Sequence, residues 1–395
     1  MRIVALHTDF RIYWPARLKH LTKKLQERGD DLYIIEIAGK GSNYAFAAHD
    51  EDHSVHWICL YPNDKIEDIN PSFAKKTVLE KLGEINPDVI LSGAFAFTSG
   101  AAAIDWAKSN NKAVVMFDDA KKENLKRNFI TNLVKRIFYS NVDAVLCPSK
   151  DWNDTYKSWG VPLDAIFYGV DVVDNSFWNK KNNLTIDYAL PEKYFLCVGR
   201  QIPCKNFDAV IEAFMQIVSQ DMAFDLVFVG SGEESDKLKS SVEDFHKDKI
   251  HFIPFQSPEN LSVIYQNAYC FILSSLSETW GLVVNEAMAS GLPVIVSKQC
   301  GCADSLVFNG ENGFIFSPKN VVELASCMDK IINLSPEEMN TMKEKSIQII
   351  KDWDIDRFSS GAMDAIDYAL RNKRKPSYFL YKHLLKNWNG KYNPV

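Results

Sequence analysis

Short β-rich apolar runs alternate with stretches of helical period along most of this chain, and that alternation leaves few folds open. In the first half the runs are RIVALH, LYIIEI, VHWICL, DVILS, AVVMF and DAVLC. In the second they are YFLCVG, FDLVFVG, IHFIP, YCFIL and PVIVS. Between the first two runs Pro15 suits the first turn of a helix, Leu18, Leu21 and Leu25 fall on one face, and Gly29 suits the C-terminal cap. The pattern is that of βαβ units around a parallel sheet. A length of 395 residues accommodates two such units. The Asn-rich stretch 173–191 loses periodicity and reads as a linker. The expected fold class is therefore α/β, with two Rossmann-like domains of parallel sheet, residues 1–172 and 192–354, facing a central cleft. Ligands of such sheets bind beyond the carboxyl ends of the strands, so the loops there are where chemistry is sought.

The overall balance excludes several classes of function. A net charge of −6 argues against wrapping a nucleic acid. The eight cysteines contain no C-x-x-C pair and no histidine at zinc spacing, so they read as reduced core thiols, the pair Cys300 and Cys302 included. The start MRIVALHTDF turns polar too early for a secretory signal, and no long apolar run occurs. A cytoplasmic chain is expected, and the Asn-x-Ser/Thr triplets at Asn153, Asn183, Asn260 and Asn333 are then chance matches.

The stretch YCFILSSLSETWGLVVNEAMASGLPVIVS, residues 269–297, says most about chemistry. A strand ends at Leu273, a Ser-rich loop follows, and a helix begins near Gly281. Its first backbone N–H groups, at Gly281, Leu282 and Val283, have no partner within the helix and suit a phosphate. Glu278 in the loop and Glu286 on the helix are on the order of 10 Å apart at helical rise, whereas the carboxyls of a retaining glycosidase lie about 5 to 5.5 Å apart. They read as two contacts on one long ligand. Carboxylates on sugar and ribose hydroxyls, with a phosphate between them, describe a nucleotide sugar, and Thr279 and Trp280 lie beside its sugar end.

The stretch YFLCVGRQIPCKNF adds Arg200 and Lys205 after another strand, two cations able to absorb the charge of a departing diphosphate. In VFVGSGEE, Gly230 and Gly232 either admit a flat or anionic ligand or simply make a tight turn.

These residues resemble the retaining family-four glycosyltransferases of GT-B fold. The resemblance covers residues 194–318, with the E-x7-E pattern, the SGLPVI run and DSLVFNGENGFIFSP, and extends more loosely to the order of elements before them. It implies that Glu278 faces the donor sugar, that Glu286 holds the ribose, and that Arg200 and Lys205 hold the diphosphate of a UDP- or GDP-linked donor. It implies retention of configuration without a metal, no other cofactor, and a last segment, 355–395, crossing back to the N-terminal, acceptor-binding domain. A role in cell-surface polysaccharide or glycolipid synthesis follows, with a glycan or lipid-linked acceptor.

The first half departs from that family. HTDFRIYWPAR replaces a Gly-Gly loop, so Arg11, Tyr13, Trp14 and Arg17 are expected on the acceptor rim, with His7 at the strand end. Asp118 and Asp119 stand where many relatives carry a histidine. Asp118 reads either as orienting an acceptor hydroxyl or as capping the next helix. At the end of the first domain, Asn-Gly-Val-Asp appears as Tyr168-Gly169-Val170-Asp171.

Residues 121–139 are basic, with Leu125, Phe129, Leu133 and Phe138 roughly on one side, a pattern shared by helices lying on an anionic leaflet and by ordinary domain helices. The tail from Arg371 mixes basic residues with Tyr378, Phe379, Tyr381 and Trp388. Asp-x-Asp occurs at Asp50/Asp52, Asp352/Asp354 and Asp354/Asp356, never after a buried strand, so no metal site is expected; the last two read as helix caps. Among other readings, a nicotinamide oxidoreductase lacks its G-x-G-x-x-G after the first strand, and a phosphorylase lacks a convincing pyridoxal phosphate lysine. A sugar-nucleotide epimerase of similar fold, or an inactive nucleotide-binding partner of a synthase, stands as the alternative.

Overall fold

The computed structural model describes residues 1–40, 56–122, 129–181, 184–219, 223–375 and 384–390. The chain divides into two units, 1–172 with 355–395, and 173–354.

The first unit holds strands β1 (Arg2–His7), β2 (Asp31–Lys40), β3 (His56–Lys65), β4 (Val89–Ser92), β5 (Ala113–Phe117), β6 (Ala144–Cys147) and β7 (Ile166–Tyr168). They form one parallel sheet in the order β3-β2-β1-β4-β5-β6-β7. Strands β1, β4, β5 and β6 are apolar on both faces because helices cover both. One of these is the helix Trp14–Glu27, with Pro15 in its first turn and Leu18, Leu21 and Leu25 buried. The amphipathic helix Ile355–Arg371 returns to this unit, burying Phe358, Ala362, Ile366 and Ala369 against β4 to β7 and the Trp14–Glu27 helix. Its acids serve as anchors: Asp356 pairs with Lys24 at 3.1 Å and Asp367 with Arg28 at 2.8 Å.

The segment that follows is also tied down. The Asp143 carboxylate takes Lys108 Nζ at 2.6 Å and the Arg374 amide at 2.7 Å. Lys75, buried beside Asp105 at 2.8 Å, donates to the carbonyls of Leu385 at 2.8 Å and Trp388 at 3.0 Å. Trp388 itself donates to the Phe95 carbonyl at 2.9 Å and lies against Phe138, so its ring is packed on this unit. Tyr378, Phe379, Tyr381, Leu125 and the Asp50/Asp52 pair lie outside the described residues.

The second unit holds β8 (Tyr194–Val198), β9 (Asp225–Val229), β10 (Ile250–Ile253), β11 (Cys270–Leu273), β12 (Val294–Ser297) and β13 (Gly313–Phe316). All run parallel, in the order β10-β9-β8-β11-β12-β13. The expected linker contains a helix, Asn175–Asn179, started by Asp174, whose carboxylate accepts from the amides of Ser176 and Phe177. Its Trp178 packs edge-on against Tyr265 at 5.6 Å, a long-range contact that periodicity does not reveal. In both sheets the strand order reverses once, between β1 and β4 and between β8 and β11. Those reversals open the crevices where ligands of doubly wound sheets sit.

Candidate functional site

In the second unit the reversal point is flanked by the loop after β8 and the loop after β11. The first makes a 3-10 turn, Pro203–Lys205, and ends on Asn206 at φ 56°, held by donations to the carbonyls of Ser274 and Pro318. That turn aims Lys205 across the crevice, where its ammonium forms an ion pair with the Glu278 carboxylate. Ser275 Oγ donates to the same carboxylate at 3.2 Å. The Glu278 loop is fixed from behind by a bridge to Cys300 and by the Gly301 amide donating to the Glu278 carbonyl at 3.1 Å.

After that loop Gly281 turns at φ 104° and starts the helix Leu282–Ala289. The left-handed turn needs glycine, and a Cβ there would press on the Leu273 side chain. The helix opens with the amides of Leu282 and Val283 at the strand ends. Glu286, one helical turn further, is 2% exposed and accepts from Tyr265 Oη at 2.8 Å. Arg200 lies half-buried directly after Gly199. Arg200, Lys205, Glu278, Gly281, Leu282, Val283 and Glu286 thus all belong to two loops and one helix start around a single reversal point.

Three expected donor residues are placed otherwise. Trp280 is buried, donating to Asn285 Oδ1 at 2.9 Å and lying against Trp353 at 5.0 Å, so its ring is core while Thr279 is exposed. Where a side chain would point, Gly230 and Gly232 meet neighbouring backbone and not open space. A Cβ on Gly230 would strike the Gly199 carbonyl, and one on Gly232 the Gln201 carbonyl. Both glycines exist because the loops after β8 and β9 touch backbone to backbone.

In the first unit, aromatic rings gather at the β1/β4 reversal. His7 sits among Phe10, Trp14, Phe97 and Phe117, with ring centroids 5.3 to 6.2 Å away. Desolvation there lowers its pKa to about 4, so the ring is neutral at pH 7. Its Nδ1 accepts the Thr8 amide at 2.6 Å. The arginines expected on the rim are instead buried. Arg11 donates to the Gly39 carbonyl. Arg17 donates to the Val172 carbonyl from Nε at 2.9 Å and Nη2 at 2.5 Å, with Trp14 and Tyr13 rings against its guanidinium at 5.0 and 5.7 Å. Burial lowers its pKa to about 10, against the pull of Asp171, so it stays charged.

Among the described residues Asp118 caps no helix. Its carboxylate takes Tyr139 Oη and the Ala120 amide, the latter at 3.0 Å, and Trp152 Nε1 donates to the Asp119 carbonyl at 2.9 Å. Sequence reasoning passed over Asp171. It lies three residues beyond the end of β7, 8% exposed, and burial with the nearby Asp119 and Asp118 raises its pKa to about 8 despite Arg17. A signal existed, since Gly169 and Asp171 follow a run, IFY, too short to be recognised as a strand.

Among the described residues no group of three His, Cys, Asp or Glu is placed to hold a metal ion, and no helix is long and apolar enough to cross a membrane. All eight cysteines are free; Cys204 is exposed rather than core.

Residues 16–173 match the family described as Glycosyltransferase Family 4, and residues 181–348 match Glycosyl transferases group 1. This chain is a family-four glycosyltransferase. The enzyme is a retaining glycosyltransferase that takes its sugar from a nucleotide-sugar donor without a metal ion. It is 24% identical over 343 residues to an uncharacterized glycosyltransferase of Haemophilus influenzae, covering 86% of this chain and 91% of that one. It is 29% identical over 182 residues to the alpha-monoglucosyldiacylglycerol synthase of Streptococcus pneumoniae, a match covering 43% of this chain and 41% of that protein. Anabaena HepE in complex with UDP has the same fold as this glycosyltransferase, with a TM-score of 0.70 at 17% identity, over 93% of this chain and 100% of that one. The architecture is GT-B.

Proposed function

We propose that this glycosyltransferase moves a hexose from a UDP-linked donor, held by the second unit, to a glycan or lipid-linked acceptor recognised by the first, in cell-surface polysaccharide or glycolipid synthesis. The observation that carries the reading is the Lys205–Glu278 ion pair at the β8/β11 reversal, beside the start of the helix that bears Glu286. Without a donor, Glu278 is the counter-ion of Lys205. When a diphosphate enters, Lys205 and Arg200 turn their charge to it, the amides of Leu282 and Val283 receive one phosphate, and Glu278 is released to the sugar hydroxyls. Glu286 takes the ribose. UDP is favoured over GDP by the UDP complex of the Anabaena protein, and a glycolipid product by the Streptococcus relative's name.

The enzyme works at the cytoplasmic face of a membrane in this reading. The helix Phe129–Tyr139 buries Phe138 and Tyr139 but leaves Phe129 82% and Ile130 69% exposed, with Leu133 and the basic Arg136 also facing solvent. Apolar wedges beside a cation suit an anionic leaflet.

A panel of UDP- and GDP-sugars scored by thermal shift tests the function. A donor at 100 times its dissociation constant adds about 2.7 kcal/mol of stability, and the best stabiliser then enters transfer assays. Stabilisation by UDP-sugars with transfer to a hydroxyl acceptor supports the reading. No response to any of them overturns it, and interconversion of the donor without transfer favours an epimerase.

A further inference from the structure

The strand ends of the first unit contain a carboxyl that the protein itself leaves unanswered. Asp171 is more than nine-tenths buried, and its Oδ2 has no hydrogen-bond partner. A buried carboxyl in that state is paid for only by a ligand or by keeping its proton. The neighbouring Arg17 is turned elsewhere: its Nε and Nη2 donate to the Val172 carbonyl, and the Trp14 and Tyr13 rings lie against its guanidinium. Asp118 and Asp119 add negative charge on the same side.

Aromatic surface continues from this group without a break. Arg17 lies over Trp14, and the Trp14 ring is 4.7 Å from Phe117, the residue immediately before Asp118 and Asp119. Trp14 and Phe97 are only partly buried, so apolar surface remains at the β1/β4 reversal. Half-open rings beside acceptor-rich carboxyl groups match an uncharged sugar, whose C–H face is apolar and whose hydroxyls donate. They mismatch a phosphate, which would meet the carboxyl groups of Asp171, Asp118 and Asp119.

We propose that Asp171 receives a hydroxyl of an uncharged sugar ring on the acceptor while that ring packs against the Trp14 nest, so that the acceptor is recognised as a glycoside and not through a phosphate. The inference rests on the glycosyltransfer reading and names the acceptor class for it. A protonated Asp171 both donates to and accepts from a sugar hydroxyl, and Asn at this position does the same.

Saturation-transfer NMR tests it on the full chain, with methyl glucoside, methyl galactoside and methyl mannoside as neutral probes and sn-glycerol 3-phosphate as the anionic one. At least one glycoside saturates with the parent protein and with Asp171→Asn, and falls at least fivefold with Asp171→Leu, while glycerol 3-phosphate stays at background. Equal saturation by the Leu variant, loss in the Asn variant, a glycerol 3-phosphate signal matching the glycosides, or no glycoside signal overturns the inference. Each variant's thermal shift with UDP reports that it is folded. Should the Leu variant fail that control, Asp171→Ala replaces it, and the parent selectivity and the Asn variant still decide. A UDP response without glycoside binding defeats this inference alone, whereas no response to UDP or GDP defeats the underlying reading.

Discussion

Lys205 and Glu278, 73 residues apart in sequence, close an ion pair across the strand reversal of the second unit, both side chains only partly exposed to water. The pair holds the two loops in register before any donor arrives. In the proposed reading an incoming diphosphate replaces the carboxylate on Lys205.

In the proposed reading, removing one of the two cations, Lys205 or Arg200, removes charge stabilisation at the moment the donor bond breaks. Lys205→Ala and Arg200→Ala should each lower kcat by roughly a hundred- to a thousandfold, about 3 to 4 kcal/mol. Steady-state kinetics with the best donor checks this, and a change below threefold in both variants would remove them from the site.

In the proposed reading Glu286 acts in binding. Glu286→Ala should weaken UDP by roughly ten- to a hundredfold, the scale of a lost charged hydrogen bond, and it also removes the carboxylate that accepts from Tyr265 Oη. Calorimetric titration with UDP measures it. Tyr265→Phe should cost less, since it removes only the group that orients the carboxylate.

The loop glycines predict a loss of stability. Gly230 has φ 133°, and a side chain there meets the Gly199 backbone, which cannot swing aside. Gly230→Ala should destabilise the second unit by about 1 to 3 kcal/mol, the range of strained backbone positions, visible as a melting temperature lower by several degrees. An unchanged melting temperature would contradict the close approach of the two loops.

Asp171 makes stability depend on pH. Its folded pKa of about 8 lies above its ordinary value of 3.8, so between those pH values the folded state keeps a proton that the unfolded chain has released. Stability from this group is full below pH 4 and is lost as pH rises towards 8, with a limiting slope of about 1.4 kcal/mol per pH unit. Asp171→Asn should accordingly gain stability relative to the parent as pH rises from about 4 to 8. Denaturant titrations at pH 5 and pH 8 compare the two, and an equal difference at both values would mean that Asp171 is ionised throughout.

The exposed apolar side chains of the Phe129–Tyr139 helix give a further test. Phe129→Ser with Ile130→Ser should reduce sedimentation with anionic vesicles, and added salt should reduce it further through the cationic part. Binding indifferent to both would take the enzyme off the membrane.

Eleven strands were legible because each is a run of apolar, β-prone residues bounded by a turn signal. The two that were not, Ile166–Tyr168 and Gly313–Phe316, are three and four residues long and stand at sheet edges, where one or two buried side chains suffice and no pattern builds up. The cluster of Arg200, Lys205, Glu278 and Glu286 was readable because two strand-loop units carry all four. Trp280 was misread because its partner Trp353 is 73 positions away, and the same holds for Arg17, whose acceptor is the Val172 carbonyl. Long-range partners decide whether a polar or aromatic side chain near a strand end faces inward, and local spacing carries no trace of them.

The helix Ile355–Arg371 belongs to the sheet of the opening residues, and so the two units are encoded differently. Residues 173–354 are one uninterrupted stretch of coding sequence, whereas the other unit is assembled from two separate ones. Exchange of either unit between related enzymes demands the same two crossovers, at 172/173 and at 354/355. A single crossover at either border leaves the second unit of one parentage but makes the first a hybrid, whose returning helix must still fit a sheet inherited from the other parent.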